Sequence, residues 1–426
     1  MELVLNTLRS LSYVVVEPSL LIMLAILGLL FYFKNRKVAT MQKIIIGEEL
    51  TSPLELTLSQ IVLGILAGIL GSIIFTLLGV TFTDTSGIQL LFVLSILLMF
   101  VKPRFICFSY SGAILGAIGL IVSYIYKLLG STNTFLDIDI MSLMTFVGVM
   151  HIVEALLVMF DGDRGSLPVF TNKNNNICGG YALNRYWMLP IVIFIAYSMS
   201  GNSDIASGSV ATPGWWPIMR SDYMSTLLAT SVLGAMPLFG MVGYSSITFS
   251  RSKREKKVSS GLFILAFGVF LTLAAQLCKF GIVAEICVIV LAPVGHEFML
   301  YMQRKKEEKR DVLFISDESG IAILEVIPYS ELYELGIRAG DKIIKVNGDK
   351  VISEKDIYEK AKRINDNLKL DILLRNGIEK SIELKNKDER GLRALLVPKS
   401  VNKENVVPLN QDKFSEVLDE ARNKTE

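Results

Sequence analysis

The sequence predicts an α-helical polytopic membrane bundle of about eight to nine spans, followed by a small α+β domain, a partly open β-barrel. Hydrophobic residues make up 51% of the chain, and the mean hydropathy is +0.48, whereas a soluble protein lies near or below zero. The apolar excess ends near residue 300, and charged residues dominate beyond it, which marks a domain boundary. The chain therefore divides into a membrane domain (1–303), a basic linker (304–310), an α+β domain (311–399) and a polar tail (400–426).

Apolar segments long enough for a bilayer predict the individual spans. A hydrocarbon core of about 30 Å needs roughly 20 apolar residues per helix. The candidates are Tyr13–Phe33, Leu56–Val80, Gly87–Val101, Phe105–Tyr126, Ile138–Phe160, Trp187–Ser200, Tyr223–Ile247, Gly261–Leu277 and Gly281–Leu300. Gly87–Val101 and Trp187–Ser200 are short. Glu17-Pro18 interrupts the first segment, so this segment is either a span or a surface helix.

Lysine and arginine clusters predict the orientation. They occupy every second loop, at Lys34–Lys37, Lys102–Arg104, Arg164–Arg185, Arg251–Lys257 and Arg304–Arg310. Because basic loops stay in the cytoplasm, we expect a multi-pass protein of the cell membrane with a cytoplasmic C-terminal domain. The side of the N-terminus depends on whether the first segment crosses.

Composition excludes several classes of function. A net charge of +2 gives no global field for nucleic acid. The four cysteines form no C-x-x-C pair, and we expect buried thiols, no metal and no cofactor. Small-residue ridges at Gly64, Gly68 and Gly71, and again at Gly112, Gly116 and Gly119, predict close helix packing within the bundle. A seam between copies in a homo-oligomer is the alternative.

Catalytic motifs of membrane proteases are incomplete. The chain has only two histidines, and neither His151 nor His296 stands in an H-E-x-x-H zinc motif. The run Gly243 to Ser246 lacks the final glycine of a serine nucleophile turn. We therefore expect no enzymatic activity. The alternative is an intramembrane protease, or a protease-regulating membrane factor, with a substrate-gating domain.

His151 and Glu154 form an intramembrane polar pair. They lie at positions i and i+3 of an apolar segment, so they share one helix face. Ionisable groups inside a membrane are expensive and often functional. The pair is either a proton or ion site, or a polar clasp between helices. We favour the clasp, because no series of carboxylates continues a path.

The segment after residue 311 resembles a PDZ domain of the bacterial type. The resemblance rests on the runs from Ser319 to Val326 (SGIAILEV) and from Gly336 to Gly348 (GIRAGDKIIKVNG). The strand Ile321–Val326 and the helix Ser353–Ile364 would form a groove in which a partner's extended end adds a strand. This assigns peptide binding to Gly320, Ile321, Ala322, Ile323, Leu324 and Glu325. The alternative is a groove that is empty or filled by the chain itself.

Three runs in the membrane half resemble MinJ-type proteins. They are HIVEA from His151, GDRGS-x-PV from Gly162, and GGY with RYWMLP between Gly179 and Pro190. MinJ-type proteins are Firmicute division-site factors with several spans and a C-terminal PDZ domain. The resemblance implies a scaffold for septum placement whose partners are DivIVA-type and Min-system proteins.

Overall fold

The computed structural model describes residues 2–130, 135–173, 176–198, 213–219, 228, 231–363, 367–385 and 392–399. The predicted polar tail, 400–426, lies outside these residues. Eight helices of the membrane half are described: α1 (Glu2–Val16), α2 (Pro18–Ile46), α3 (Pro53–Leu78), α4 (Gln89–Val101), α5 (Phe108–Leu128), α6 (Ile140–Asp161), α7 (Lys253–Ala274) and α8 (Ile282–Glu308).

Five stretches are long and apolar enough to cross a membrane, among the residues that the structure describes. They are α3, α5, α6, α8, and α7 with the 3-10 turn that extends it to Phe280. Each coincides with a predicted span. α4 is helical as predicted, but its 13 residues extend only about 20 Å at ~1.5 Å per residue, short of a bilayer core.

Side-chain caps fix where three of these helices begin. Ser52 accepts from the backbone N–H of Glu55 at the start of α3, and Asp139 accepts from that of Ser142 at the start of α6. At the start of α7, Ser252 and Glu255 form a reciprocal capping box. Such caps satisfy orphan N–H groups of the first turn, which is why the helices begin at these polar residues.

The first predicted span, Tyr13–Phe33, does not form one element. α1 ends at Val16, and α2 begins at Pro18, so the predicted segment straddles their junction. Proline has no N–H and favours the first position of a helix, which makes Glu17-Pro18 the natural boundary.

Two predicted helical spans, Trp187–Ser200 and Tyr223–Ile247, are wrong in type. They fall on two long antiparallel strands, β3 (Asn176–Ser198) and β4 (Ser231–Thr248); residues 199–200 and 223–227 lie outside the described part of the chain. The strands pair continuously from Tyr181↔Thr248 to Ser198↔Ser231. The run Ile191 to Ile195 of β3 is β-branched except for the aromatic Phe194, which favours strand, and the three glycines of β4 disfavour helix.

Helix α3 covers the edge of β3 that β4 leaves open. A Cβ atom added at Gly64 would lie 2.0 Å from the carbonyl oxygen of Met188, and one added at Gly68 would lie 2.0 Å from that of Pro190. One turn further, the Ser72 hydroxyl accepts from the backbone N–H of Val192 at 2.9 Å. Two glycines of the ridge predicted for helix–helix packing therefore pack against a strand, and the third, Gly71, faces Val153 of helix α6.

The second glycine ridge also packs inside the chain. An added Cβ at Gly112 would lie 2.7 Å from Val147 in α6, and one at Gly116 would lie 3.3 Å from Ile289 in α8. The prediction of internal packing is confirmed for both ridges.

The basic loops gather at one end of the bundle, which we call the basic end. A single cavity there is lined by side chains from four of the five predicted clusters: Lys34, Lys102, Lys256 and Arg304. The remaining segment, Arg164–Arg185, reaches the same cavity through Asn184, which accepts from Lys34 at 3.4 Å. That this end faces the cytoplasm stays a prediction.

A second layer of structure, the β-domain (311–399), lies at the basic end. Its elements are β5 (Phe314–Ile315), β6 (Ile321–Val326), α9 (Glu331–Glu334), β7 (Lys342–Val346), β8 (Asp349–Lys350), α10 (Glu354–Arg363), β9 (Leu368–Leu373), β10 (Glu379–Leu384) and β11 (Ala394–Leu396). The sheet order is β10-β9-β7-β6-β11, with β8 paired to β7. Asn347 and Gly348 both have positive φ, 53° and 88°, as a type I′ turn between β7 and β8 requires.

The start of the β-domain is tied to the membrane half. The segment 304–310, predicted as a linker, is helical up to Glu308 as the end of α8. The first strand, β5, pairs with β3 of the membrane half rather than within its own sheet. The chain therefore enters the β-domain without a free spacer among these residues.

Candidate functional site

The junction between the membrane half and the β-domain begins with backbone pairing. β5 adds to β3 at Cys178↔Ile315 and Gly179↔Phe314. The backbone N–H of Leu313 also donates to the carbonyl of Phe249 at 2.9 Å, just after β4 ends. Sheet bonds of this kind fix register as well as proximity, so β5 sets the position of the β-domain on the bundle.

The strand β6 of the β-domain packs against Gly179 and Tyr181 of β3. A Cβ atom at Gly179 would lie 2.9 Å from Val397 and 3.1 Å from Leu324, so the glycine allows the β-domain to approach closely. The Tyr181 hydroxyl donates to the carbonyl of Leu324. Burial raises the pKa of Tyr181 well above its usual range, and the neighbouring Glu325 carboxylate adds to the effect, so the hydroxyl keeps its proton for this bond.

Three ion pairs surround this contact, two from the first turn of α7 and one from the segment after α2. Lys253 lies 2.7 Å from Glu325. The other two join Arg375 to Glu255 at 3.2 Å and Arg393 to Glu48 at 2.8 Å. The first and third are largely buried, where ion pairs hold geometry better than at an exposed surface. The β-domain is therefore fixed to the bundle on several sides.

The predicted peptide-binding strand, Gly320 to Glu325, lies inside the sheet. β7 pairs with its start at Ile321↔Ile343, and β11 pairs with its end at Leu395↔Glu325. Two N–H groups of this segment already have partners, since Gly320 donates to the carbonyl of Asp317 and Ala322 donates to the Ser316 hydroxyl. Peptide binding beside this strand stays a prediction, and it would require β11 to move aside.

The sheet edge beside α10 belongs to β11. The Tyr358 hydroxyl of α10 donates to the carbonyl of Ala394 at 2.8 Å and accepts from the N–H of Leu396 at 3.2 Å. These are the two backbone groups that an added strand would use. One phenol therefore occupies the place where a peptide backbone would pair with β11.

Asp161, Arg185 and Trp187 form a buried polar lock beneath the junction. Arg185 contacts Asp161 through Nη2, and its Nε lies 3.0 Å from the same Oδ2 atom. Trp187 Nε1 donates to that oxygen at 2.8 Å. The side chains of Asp161 and Arg185 are 0% and 1% exposed. The lock joins the end of α6 to β3, and its members Arg185 and Trp187 belong to one of the runs that resemble MinJ-type proteins.

A cavity of about 520 Å³ opens at the basic end. Besides the basic side chains named above, its lining includes Arg104, Glu154, Cys107 and His296. Arg104 is paired with Glu297 at 3.4 Å, and Lys256 with Glu307 at 3.3 Å. The cavity therefore has a basic rim and a sulfur- and imidazole-bearing wall.

The two histidines of the chain meet beside this cavity. One ligand atom from each of His151, His296 and Cys107 lies within 4.8 Å of the others. His151 Nε2 lies 3.0 Å from Cys107 Sγ and 3.2 Å from Ser109 Oγ. The sequence prediction paired His151 with Glu154 instead, and it missed Cys107. Spacing along the chain carries no signal for this cluster, because its members come from three separate elements.

The chain is similar to one curated protein of known role, the cell division topological determinant MinJ of Bacillus subtilis. The two are 24% identical over 236 residues, 54% of this chain and 55% of the relative, so the chain spans about half the length of the relative it matches. No family model matches the chain, and no solved structure matches it. This similarity confirms the predicted resemblance to MinJ-type proteins, and the apolar helices are those of a membrane protein.

Proposed function

We propose that this protein is a non-enzymatic membrane scaffold that places partner proteins at the cell-division site. The β-domain acts as a PDZ domain and holds the partners, and the bundle holds the β-domain against the bilayer. The basic end faces the cytoplasm, because basic loops are retained on that side. Similarity to a cell division topological determinant supports a role in cell division. The backbone pairing that docks the β-domain on the bundle supports the scaffold role.

The fixed junction between the bundle and the β-domain is the main support for this proposal. A recruiting surface works as a positional marker only if it stays at a defined place on its anchor. Here β5 pairs with β3, and Lys253 and Arg393 form ion pairs across the junction. The groove between β11 and α10 is thereby presented on the basic end, where an extended peptide can add to β11 once Tyr358 rotates away.

Imaging tests the proposal in living cells. A fluorescent fusion of the full chain, expressed in a dividing Firmicute host, is expected to concentrate at septa and poles. Concentration should be lost when the host lacks its DivIVA-type protein, since the resemblance to MinJ-type proteins implies DivIVA-type and Min-system partners. An unrelated multi-span fusion gives the uniform reference. Uniform membrane signal from the full chain, in a host that has its DivIVA-type protein, would reject the proposal.

An intramembrane protease, or a factor that regulates one, is the second candidate. One specific contact favours it, the 3.0 Å between Cys107 Sγ and His151 Nε2, which is the reach that a nucleophile and its base require. This candidate requires that purified protein cleave a membrane substrate, and that cleavage stop on replacing Cys107, His151, Glu154 or His296. Cleavage that survives all four replacements would remove it.

A further inference from the structure

We infer that Cys107, His151 and His296 form a binding site for a transition-metal ion of the Zn²⁺ class. Their ligand atoms lie within 4.8 Å of one another. The site is assembled from the turn before α5, the middle of α6 and the second half of α8. The inference does not depend on the proposed function, and it departs from the sequence expectation of no metal.

The hydrogen bonds of His151 fix the form of its ring. Nδ1 lies 2.7 Å from the carbonyl oxygen of Val147. A carbonyl only accepts, so Nδ1 carries a proton, and in the neutral ring the lone pair is then on Nε2. That lone pair faces Cys107 Sγ at 3.0 Å. A backbone carbonyl on one nitrogen is the usual way in which a metal-binding histidine is oriented.

His296 is fixed in the same form by Tyr110. The Tyr110 hydroxyl donates to Glu297 Oε1 at 2.5 Å, and Glu297 is held in turn by Arg104 at 3.4 Å. Because the hydroxyl proton is committed to Glu297, its oxygen accepts from His296 Nδ1 at 3.1 Å. Nε2 of His296 is then the nitrogen that carries a free lone pair. In their neutral forms, both imidazoles therefore offer Nε2 to a metal.

The surroundings of His151 Nε2 also favour a metal over a simple hydrogen bond. The Cys107 thiol and the Ser109 hydroxyl, at 3.0 and 3.2 Å, converge on a nitrogen that offers one lone pair. Two donors cannot both be satisfied by it. A metal bound to the thiolate and to both Nε2 atoms removes this conflict and leaves Ser109 free to donate elsewhere.

The donor set selects the class of ion. One thiolate and two imidazoles suit Zn²⁺, which binds three protein ligands and keeps a fourth position for water or another ligand. The cavity reaches Cys107 and His296, and Glu154 lines it as well, so solvent or a carboxylate has access to the fourth position. The ion would tie α5, α6 and α8 together at the basic end of the bundle.

Cobalt binding to the full chain in detergent tests the inference. Co²⁺ is expected to bind with about one ion per chain and to give the near-ultraviolet sulfur-to-cobalt band and the visible bands of a tetrahedral site. Zn²⁺ should displace it. Cys107→Ser should abolish the sulfur band. Cys287→Ser removes an exposed thiol of α8 and should change nothing.

A second pair of variants covers the case in which Cys107→Ser does not fold. His296→Gln removes a ligand but leaves the thiol, and it should weaken Co²⁺ binding at least about 100-fold. Tyr110→Phe removes only the positioning hydroxyl and should weaken binding about 10- to 100-fold with the sulfur band retained. A sulfur band that persists in Cys107→Ser, binding unaffected by His296→Gln, or no Co²⁺ bands in the unaltered protein would each overturn the inference.

Discussion

Gly64→Ala and Gly68→Ala are expected to destabilise the bundle more than any other single-methyl change in α3. In each case the new Cβ would lie 2.0 Å from a backbone carbonyl oxygen of β3. Neither neighbour can rotate away, because β3 is held by β4 along the same stretch. Overpacking a rigid site costs typically about 1–3 kcal/mol, and backbone contacts fall at the upper end. The free energy of unfolding in mixed micelles measures the loss.

Gly71→Ala is the matched control on the same helix face. Its added Cβ would lie 3.3 Å from Val153 Cγ2, the end of a side chain that can shift. Alanine also favours helix over glycine by about 1 kcal/mol, which offsets part of the crowding. Gly71→Ala should therefore stay within about 1 kcal/mol of the unaltered protein. Equal losses at all three glycines would contradict close packing of α3 against β3.

Breaking the buried ion pair of Asp161 and Arg185 is expected to lower the free energy of unfolding by a similarly large amount. Asp161→Leu leaves the Arg185 guanidinium buried without its carboxylate, with Ser59 as its remaining side-chain partner at 2.7 Å. Removing one member of a buried ion pair costs about 3–5 kcal/mol, because the other charge stays desolvated. The unfolding free energy should fall by that amount, and yield of monodisperse protein should fall with it.

A double-mutant cycle separates the free-energy cost of the unpaired charge from the cost of the lost packing. Asp161→Leu combined with Arg185→Met removes both charges and keeps apolar volume. Replacing a whole buried pair by apolar residues is often neutral or stabilising, so the double variant should be more stable than Asp161→Leu alone. If the double variant is as unstable as the sum of the two single variants, the two side chains do not interact as the structure indicates.

The helical spans and the β-domain strands were predictable because each has a local signal. α3, α5, α6 and α8 follow long apolar runs, and caps such as Asp139 mark where they begin. In the β-domain, β6 has the bounds predicted for it, and Gly348 takes the positive φ expected of its turn. These features depend on neighbours in sequence.

The hairpin of β3 and β4 was not predictable from hydropathy. An apolar strand buried on both faces and an apolar helix have the same composition, and periodicity cannot separate them. The discriminating signals were present in Pro190 and in the glycines of β4, for example Gly240. Pro190 has no N–H to donate, but no hydrogen bond between β3 and β4 is lost, because the backbone at this position faces α3 rather than β4.

The candidate sites depend on contacts between distant segments. His151 was singled out from its place in an apolar helix, but its partners Cys107 and His296 are far away in sequence. The peptide strand was assigned by resemblance, and the residue that covers the sheet edge, Tyr358, could be found only once β11 was placed beside β6. Local sequence patterns predict helices and strands, but only the tertiary packing shows which of their side chains come into contact.

Site-specific photo-crosslinking in cells tests the recruiting surface most directly. A photoreactive phenylalanine at Tyr358 sits in the groove beside β11 and also removes the hydroxyl that occupies it. The same group at Ile378 sits in the exposed turn between β9 and β10, at the opposite edge of the sheet. If partners bind beside β11, we expect discrete protein adducts from Tyr358 and few from Ile378. No adduct from Tyr358, or the same adducts from both positions, would contradict it.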